Sequence, residues 1–237
     1  MRRFHYMLTS LLALVWLVVA PTSWADDHQH QPPPQSAAHH RFDDIDRAVK
    51  MFESAERDAW QKPDEVVAQL HLRPGDVVAD IGAGTGYFAR RFAVAVGPTG
   101  KAMGLDVEPT MVAYMNDDAQ KRGLPNYSAR QVQRHAPQLA PQSVDVIFIC
   151  DTYHHIEDRI AYVRRLAPAL KTGGRVIIVD FQKKPLPLGP PLEWKLAPET
   201  VAEEFRQAGL QLARSVDFLP YQYFLEFTLP DVSGSTP

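Results

Sequence analysis

Residues Val77–Phe92 read VVADIGAGTGYFARRF, and this stretch limits the fold more than any other. Apolar residues lead into Asp80, Gly82, Gly84 and Gly86 then take alternate positions, and an amphipathic helix pattern begins at once. A buried strand that ends in a glycine-rich turn opening a helix suits a nucleotide-like ligand, because glycine lets backbone approach with no Cβ in the way. A plain tight βα turn shares this outline. Asp80 can accept hydrogen bonds, holding either the turn or a ligand ammonium. The dinucleotide fingerprint G-x-G-x-x-G fits a pyrophosphate against the helix N-terminus. Here the third glycine comes one residue early and Tyr87 stands where that fingerprint wants glycine, so the pattern is D-x-G-x-G-x-G.

The rest of the chain continues in the same rhythm. Lys101–Val107, KAMGLDV, is a short apolar strand ending at Asp106, in register to grip ribose hydroxyls roughly 20 residues past the glycines. Asp106 also suits a helix cap, since Glu108-Pro109 opens the next helix. Val144–Asp151, VDVIFICD, fits a central parallel strand buried on both faces. Gly173-Gly174 then precede RVIIVD, a strand reaching Asp180 after a helix that ends in glycine. Helices are expected over Thr85–Val96, Pro109–Arg122, Ile156–Leu170 and Pro198–Ala208, with strand ends near Ile81, Asp106, Val132, Cys150 and Asp180. Arg41–Leu72 reads as helical with a break near Pro63. Gln211–Phe218 and Tyr221–Leu229 form a closing hairpin about Leu219-Pro220. Alternating strands and helices define an α/β protein by pattern alone.

The glycine turn resembles motif I of the class I S-adenosylmethionine (SAM) dependent methyltransferases, and Asp151, ending an apolar strand, resembles their motif IV. Arg57–Val66, RDAWQKPDEV, is similar to the segment before motif I in a bacterial group of that family. His154–Asp158, HHIED, is similar to the xHHxxD of small-molecule members. The resemblance covers about Arg41–Leu229. It implies a Rossmann-like, doubly wound, seven-stranded, mostly parallel sheet with a C-terminal antiparallel hairpin. It implies SAM as cofactor, held at Asp80, Gly82, Gly84, Gly86 and Asp106. Gln133 takes the adenine-contact position where many relatives carry an acid in a G-D-A sequence; its carbonyl can accept the same hydrogen bond. Asp151, His154 and His155 follow the fourth strand on the ligand-binding edge, with a histidine as base or substrate contact. His155 equally suits packing and capping a helix that starts at Ile156. The proline-rich loop Lys183–Trp194 either lines the acceptor pocket or connects rigidly.

A chain of 237 residues, 45% of them hydrophobic, fits one domain with a full core. Its one cysteine, Cys150, reads as a small core residue and excludes an intrachain disulfide or zinc–thiolate cluster. Met1–Ala25 has a basic start, an apolar run shorter than the ~20 residues of a bilayer span, and Ser23-Trp24-Ala25. It reads as an export signal cut after Ala25, giving a periplasmic product with no stable membrane span. Without those residues, which hold Arg2, Arg3 and no acid, 23 basic against 28 acidic residues leave −5. Nothing basic is in excess to grip nucleic acid, so the acceptor is expected to be a small molecule or peptide. Residues 26–40 read as a polar linker carrying His28, His30, His39 and His40, a set that can bind Cu or Zn or serve as a solvated tail. The enzyme domain is expected over 41–230 and a flexible tail over 231–237. No metal ligand is expected in the domain. A rival reading is an exported SAM-, nucleoside- or metal-binding protein without catalysis.

Overall fold

The computed structural model describes residues 45–230. The expected signal with its cleavage site after Ala25, the 26–40 linker with its histidines and the 231–237 tail lie outside the described residues.

The apolar runs form β1 (Val77–Ile81), β2 (Lys101–Asp106), β3 (Tyr127–Gln131), β4 (Val144–Cys150) and β5 (Leu170–Phe181), followed by β6 (Gln211–Val216) and β7 (Gln222–Thr228). Between them lie α1 (Ile45–Phe52), α2 (Ala55–Gln61), α3 (Pro63–Gln69), α4 (Ala89–Val96), α5 (Pro109–Lys121), α6 (Arg159–Leu166) and α7 (Pro198–Ala208). One sheet runs in the order β3-β2-β1-β4-β5-β7-β6. The first five strands are parallel, while β7 runs antiparallel to β5 and β6 antiparallel to β7. This is the expected doubly wound, Rossmann-like sheet with its terminal hairpin. After β3 the chain returns to the far side of β1, so the switch point lies between β1 and β4. Open α/β sheets bind ligands at the carboxyl ends of the strands beside that point.

Continuous apolar sequence explains why both faces are covered. Ala79, Ile81, Ile147, Ile149, Val176 and Ile178 pack into one core with Leu166 and Phe205 from α6 and α7. Their neighbours Val78, Val146, Phe148, Ile177 and Val179 face the other core, with Val66, Phe92 and Met115 from α3, α4 and α5. Phe88 and Phe92 meet Phe148 at ring separations of 4.9 and 5.0 Å, locking α4 to β4.

Several boundaries differ from the sequence reading. The N-terminal run breaks near Pro63 as expected, where Lys62 turns left-handed (φ 48°), and breaks once more at extended Ser54 (ψ 141°), so it forms three helices. α4 begins at Ala89 instead of Thr85, because Thr85–Phe88 form turns while the chain leaves the glycine loop. The helix expected over Ile156–Leu170 starts at Arg159, where the Asp158 carboxyl accepts the Ala161 N–H; His155 therefore does not cap it. No helix ends at Gly173: β5 already starts at Leu170, and its pairing with β4 jumps from Val144–Leu170 to Val146–Arg175, so Lys171–Gly174 bulge out.

Gly86 shows how tightly the turn is packed. A Cβ there would strike the Tyr127 hydroxyl and touch Met115, and the backbone is left-handed (φ +78°). Tyr127 is 4% exposed, and among the described residues its hydroxyl has no hydrogen-bond partner. Gly86→Ala is expected to destabilise by about 2–4 kcal/mol, combining overpacking with left-handed strain. Tyr127→Phe deletes an unsatisfied group, so it should leave stability unchanged or raise it by up to about 1 kcal/mol. In the double variant it should restore part of the Gly86→Ala loss. Thermal unfolding checks this; strictly additive effects would mean that the two positions do not meet.

Candidate active site

The glycine loop leaves β1 beside Asp106 at the end of β2. One Asp106 oxygen accepts the Gly84 N–H at 2.8 Å and the other the Glu108 N–H at 3.0 Å, so the side chain joins the loop to the start of α5. Asp80 is 3% exposed and accepts the Ala89 N–H at the start of α4, a helix end that Phe88 leaves without a side-chain cap. Burial raises the pKa of both acids; the Asp106 charge raises Asp80 further, well above the usual carboxylate range. Two buried carboxyls side by side oppose a pyrophosphate and favour a cationic ligand. This suits SAM, which carries an ammonium and a sulfonium and no phosphate. Each Asp106 oxygen has a second lone pair for a ribose hydroxyl. Gly82 and Gly84 also fit: a Cβ on Gly82 would strike Thr152, and one on Gly84 would reach the Phe52 ring at 3.5 Å. Gln133 lies just past β3, exposed and bridged by backbone to Ala136.

α1 and α2 are strapped onto this loop. Glu53 accepts the Thr85 hydroxyl at 2.5 Å and pairs with Arg90, and Asp58 accepts the Tyr87 hydroxyl. The Arg57 and Arg91 guanidiniums lie 4.0 and 4.2 Å from the Tyr87 ring centre. Tyr87, the residue that spoils a dinucleotide fingerprint, thus anchors the N-terminal helices. A second tie crosses the sheet: Arg57 Nε donates to Gln61 at 3.2 Å, Gln61 to Gln222 at 2.5 Å and Gln222 to Asp151 at 2.5 Å. Arg57 also lies 3.9 Å from Asp151. Both glutamines are buried.

Asp151 and His154 come together at the carboxyl edge of β4. His154, in a 3-10 turn over Tyr153–His155, places Nδ1 2.9 Å from both oxygens of Asp180 at the end of β5. The two side chains are 3% and 1% exposed. Asp180 also accepts the Phe181 N–H at 2.8 Å. Burial pulls the His154 pKa down, but the Asp180 hydrogen bond and charge, helped by Asp151, outweigh it and leave it raised. Asp151 is raised to about 6, by burial first and then by the Asp180 charge, against the pull of Arg57 and His154. His155 is exposed, 4.2 Å from the His154 ring and 6.4 Å from Trp194, so it stands outside the buried pair. Cys150 is held as a thiol by burial and by the Asp151 charge.

Asp151 has a backbone φ of +52°, which asparagine tolerates better than most residues. Its folded pKa lies above the unfolded value near 3.8. The native state therefore binds a proton more readily, and this group reduces stability as pH rises from about 4 to 6. Asp151→Asn removes that loss and keeps an acceptor for Gln222. Above pH 7 it is expected to raise stability by up to about 3 kcal/mol, several degrees in Tm. A variant less stable than the wild type at pH 7.5 would show that the carboxylate stabilises the fold.

The residues singled out from sequence thus fall into two adjoining groups, the loop around Asp80 and Asp106 and the edge around Asp151 and His154. Gln133 and His155 lie at their exposed margins. Asp180, Gln61, Gln222 and Thr152 were not singled out as site residues. Asp180 alone carried a signal, as an acid ending a strand at the ligand edge. Among the described residues, no group of three or more His, Cys, Asp or Glu is placed to hold a metal, and no helix is long and apolar enough to cross a membrane.

Residues 72–218 match the profile of a methyltransferase-domain family, and the chain belongs to it. Its described domain is of the SAM-dependent methyltransferase type. It is 34% identical over 119 residues to the ubiquinone/menaquinone biosynthesis C-methyltransferase UbiE of Burkholderia mallei, an overlap of 49% of this chain and 48% of that protein. The chain spans about half the length of the curated relatives it matches. A SAM-dependent methyltransferase structure from Aquifex aeolicus superposes with a TM-score of 0.73 at 26% identity, covering 78% of this chain and 97% of that one. The O-methyltransferase NcsB1 from neocarzinostatin biosynthesis, solved with S-adenosyl-L-homocysteine, shares the fold at a TM-score of 0.56 and 17% identity, over 65% of this chain and 49% of that one.

Proposed function

We propose that this enzyme is exported, cut after Ala25, and methylates a small molecule that gives up a proton to His154. The buried Asp151–His154–Asp180 cluster at the ligand edge carries the reading, since acids and bases shifted by their surroundings, as Asp151 and His154 are, gather where chemistry is done. Bound SAM supplies an electrophilic methyl for in-line displacement. Asp106 holds the ribose hydroxyls, Asp80 and the Gly82–Gly86 loop the amino-acid end, and Gln133 the adenine edge. Asp180 fixes the His154 tautomer by accepting from Nδ1, which leaves Nε2 to take the acceptor's proton. The relatives' printed name, a C-methyltransferase, supports this role, because a carbon acceptor must lose a proton. The acidic balance of the mature chain supports a small molecule over nucleic acid.

Calorimetry on residues 26–237 is expected to show SAM binding and little or no NAD binding. A small-molecule library scored by S-adenosylhomocysteine release then finds the acceptor. Binding of SAM with no turnover across the library would favour the rival, a nucleoside-binding protein. Intact mass of a periplasmic fraction starting at Asp26 tests export; full-length protein confined to the cytosol would overturn it.

A further inference from the structure

Lys195 is 2% exposed, yet among the described residues it forms no ion pair. Its ammonium donates to the Lys184 carbonyl at 3.1 Å and lies 5.9 Å from the Phe181 ring centre. Most of the other buried charged groups have closer partners, although Asp80 accepts only one N–H and lies near the like charge of Asp106. Arg90 pairs with Glu53 and Asp118, Asp106 accepts two N–H groups, and Asp180 holds His154. A buried ammonium has three donors, and leaving it without a counter-charge is costly. Among the described residues, only one of its donors is used.

The place matters as much as the charge. Lys195 directly follows the proline-rich loop after β5, and that loop folds onto Phe181: a Cβ on Gly189 would come within 2.7 Å of the ring. Phe181 follows Asp180, the partner of His154, in sequence. On Phe181 also rests Trp60 of α2, at 5.7 Å, with Tyr221 6.5 Å from Trp60. Trp60 and Tyr221 are half-buried and so offer aromatic surface, while Phe181 beneath them is buried and joins them to the uncompensated cation. Flat aromatic walls favour a flat ring, and the ammonium favours an anionic oxygen.

We propose that Lys195 is the acceptor's anion contact, and that with Trp60, Phe181 and Tyr221 it selects an aromatic carboxylic acid. This rests on the small-molecule methyltransferase reading above. The test uses mature protein saturated with S-adenosylhomocysteine. Hydroxybenzoic and hydroxynaphthoic acids are titrated calorimetrically beside their primary amides. Acids should bind at least tenfold more tightly than matched amides. Lys195→Met keeps the apolar stem and should erase that preference while amide affinity stays put; Lys195→Arg should keep part of it. A wild type that binds acids and amides equally, or a Lys195→Met protein that still prefers acids, overturns the inference. So does a Lys195→Met protein that loses thermal stability with its preference intact, since the residue then only closes the loop onto Lys184. S-adenosylhomocysteine binding is measured first; its absence defeats the methyltransferase reading itself and is distinguishable from failure at Lys195.

Discussion

His154→Gln is expected to lower turnover by about 10²–10⁴-fold while SAM affinity stays nearly constant, the signature of a general base lost from a site that still binds. Asp180→Asn should reproduce much of this loss through orientation alone. The Asn amide can present a donor to Nδ1 and so select the wrong tautomer. The pH profile separates the two roles. Asp180 helps to raise the His154 pKa, so wild-type activity should rise with pH through an inflection above the ordinary histidine value, as neutral imidazole forms. In Asp180→Asn the inflection should move to lower pH. Stability runs the opposite way: the ion pair's contribution is complete below about pH 6.5 and fades as pH climbs through the raised pKa. Histidine NMR titration reads that pKa without any acceptor. Full turnover in His154→Gln would remove it from the chemistry. Loss of fold and SAM binding together would make the pair structural.

The second large effect is expected at Asp106. Asp106→Ala deletes the acceptor for two backbone N–H groups and the proposed contacts to the ribose. Charge-assisted bonds are worth about 1.5–3 kcal/mol each, so SAM affinity should fall tenfold to several hundredfold. Asp106→Asn keeps one acceptor oxygen and should fall between. Gly84 and Glu108 give a second readout, because hydrogen exchange at their amides should speed up when the anchor is lost. Unchanged affinity by calorimetry would place the ribose elsewhere.

The parallel strands, their acidic ends and the glycine loop could be read from sequence because each has a local cause. Apolar runs bury on two faces, and positive-φ turns need glycine. The helix starts were misplaced where a side chain from another element sets them. α4 is held back to Ala89 by turns after the glycine loop, and Asp80 caps it from the end of a strand. α6 waits for Asp158. The Lys171–Gly174 bulge was invisible because a Gly-Gly pair after an apolar stretch looks like a helix stop, and only pairing with β4 shows the strand already running. Gln61 and Gln222 had no signal at all: a glutamine in a helix and another in a strand read as surface until their partners lie 161 positions apart in the chain. Asp180 was seen as a strand end, while its role as the partner of His154 required the β4–β5 neighbourhood.

The Gln61–Gln222–Asp151 tie joins the first described helices to the last strand across the site. Such a contact has very high sequence separation, so its loop-closure entropy is met late in folding. A chain emerging from the ribosome can form the glycine loop and five parallel strands before β7 exists. Until then Asp151 lacks the Gln222 amide and α2 lacks its hold on the far side of the sheet. Assembly of the Asp151 edge therefore waits for β7, and a nascent or C-terminally clipped molecule would have its glycine loop beside an unassembled strand edge.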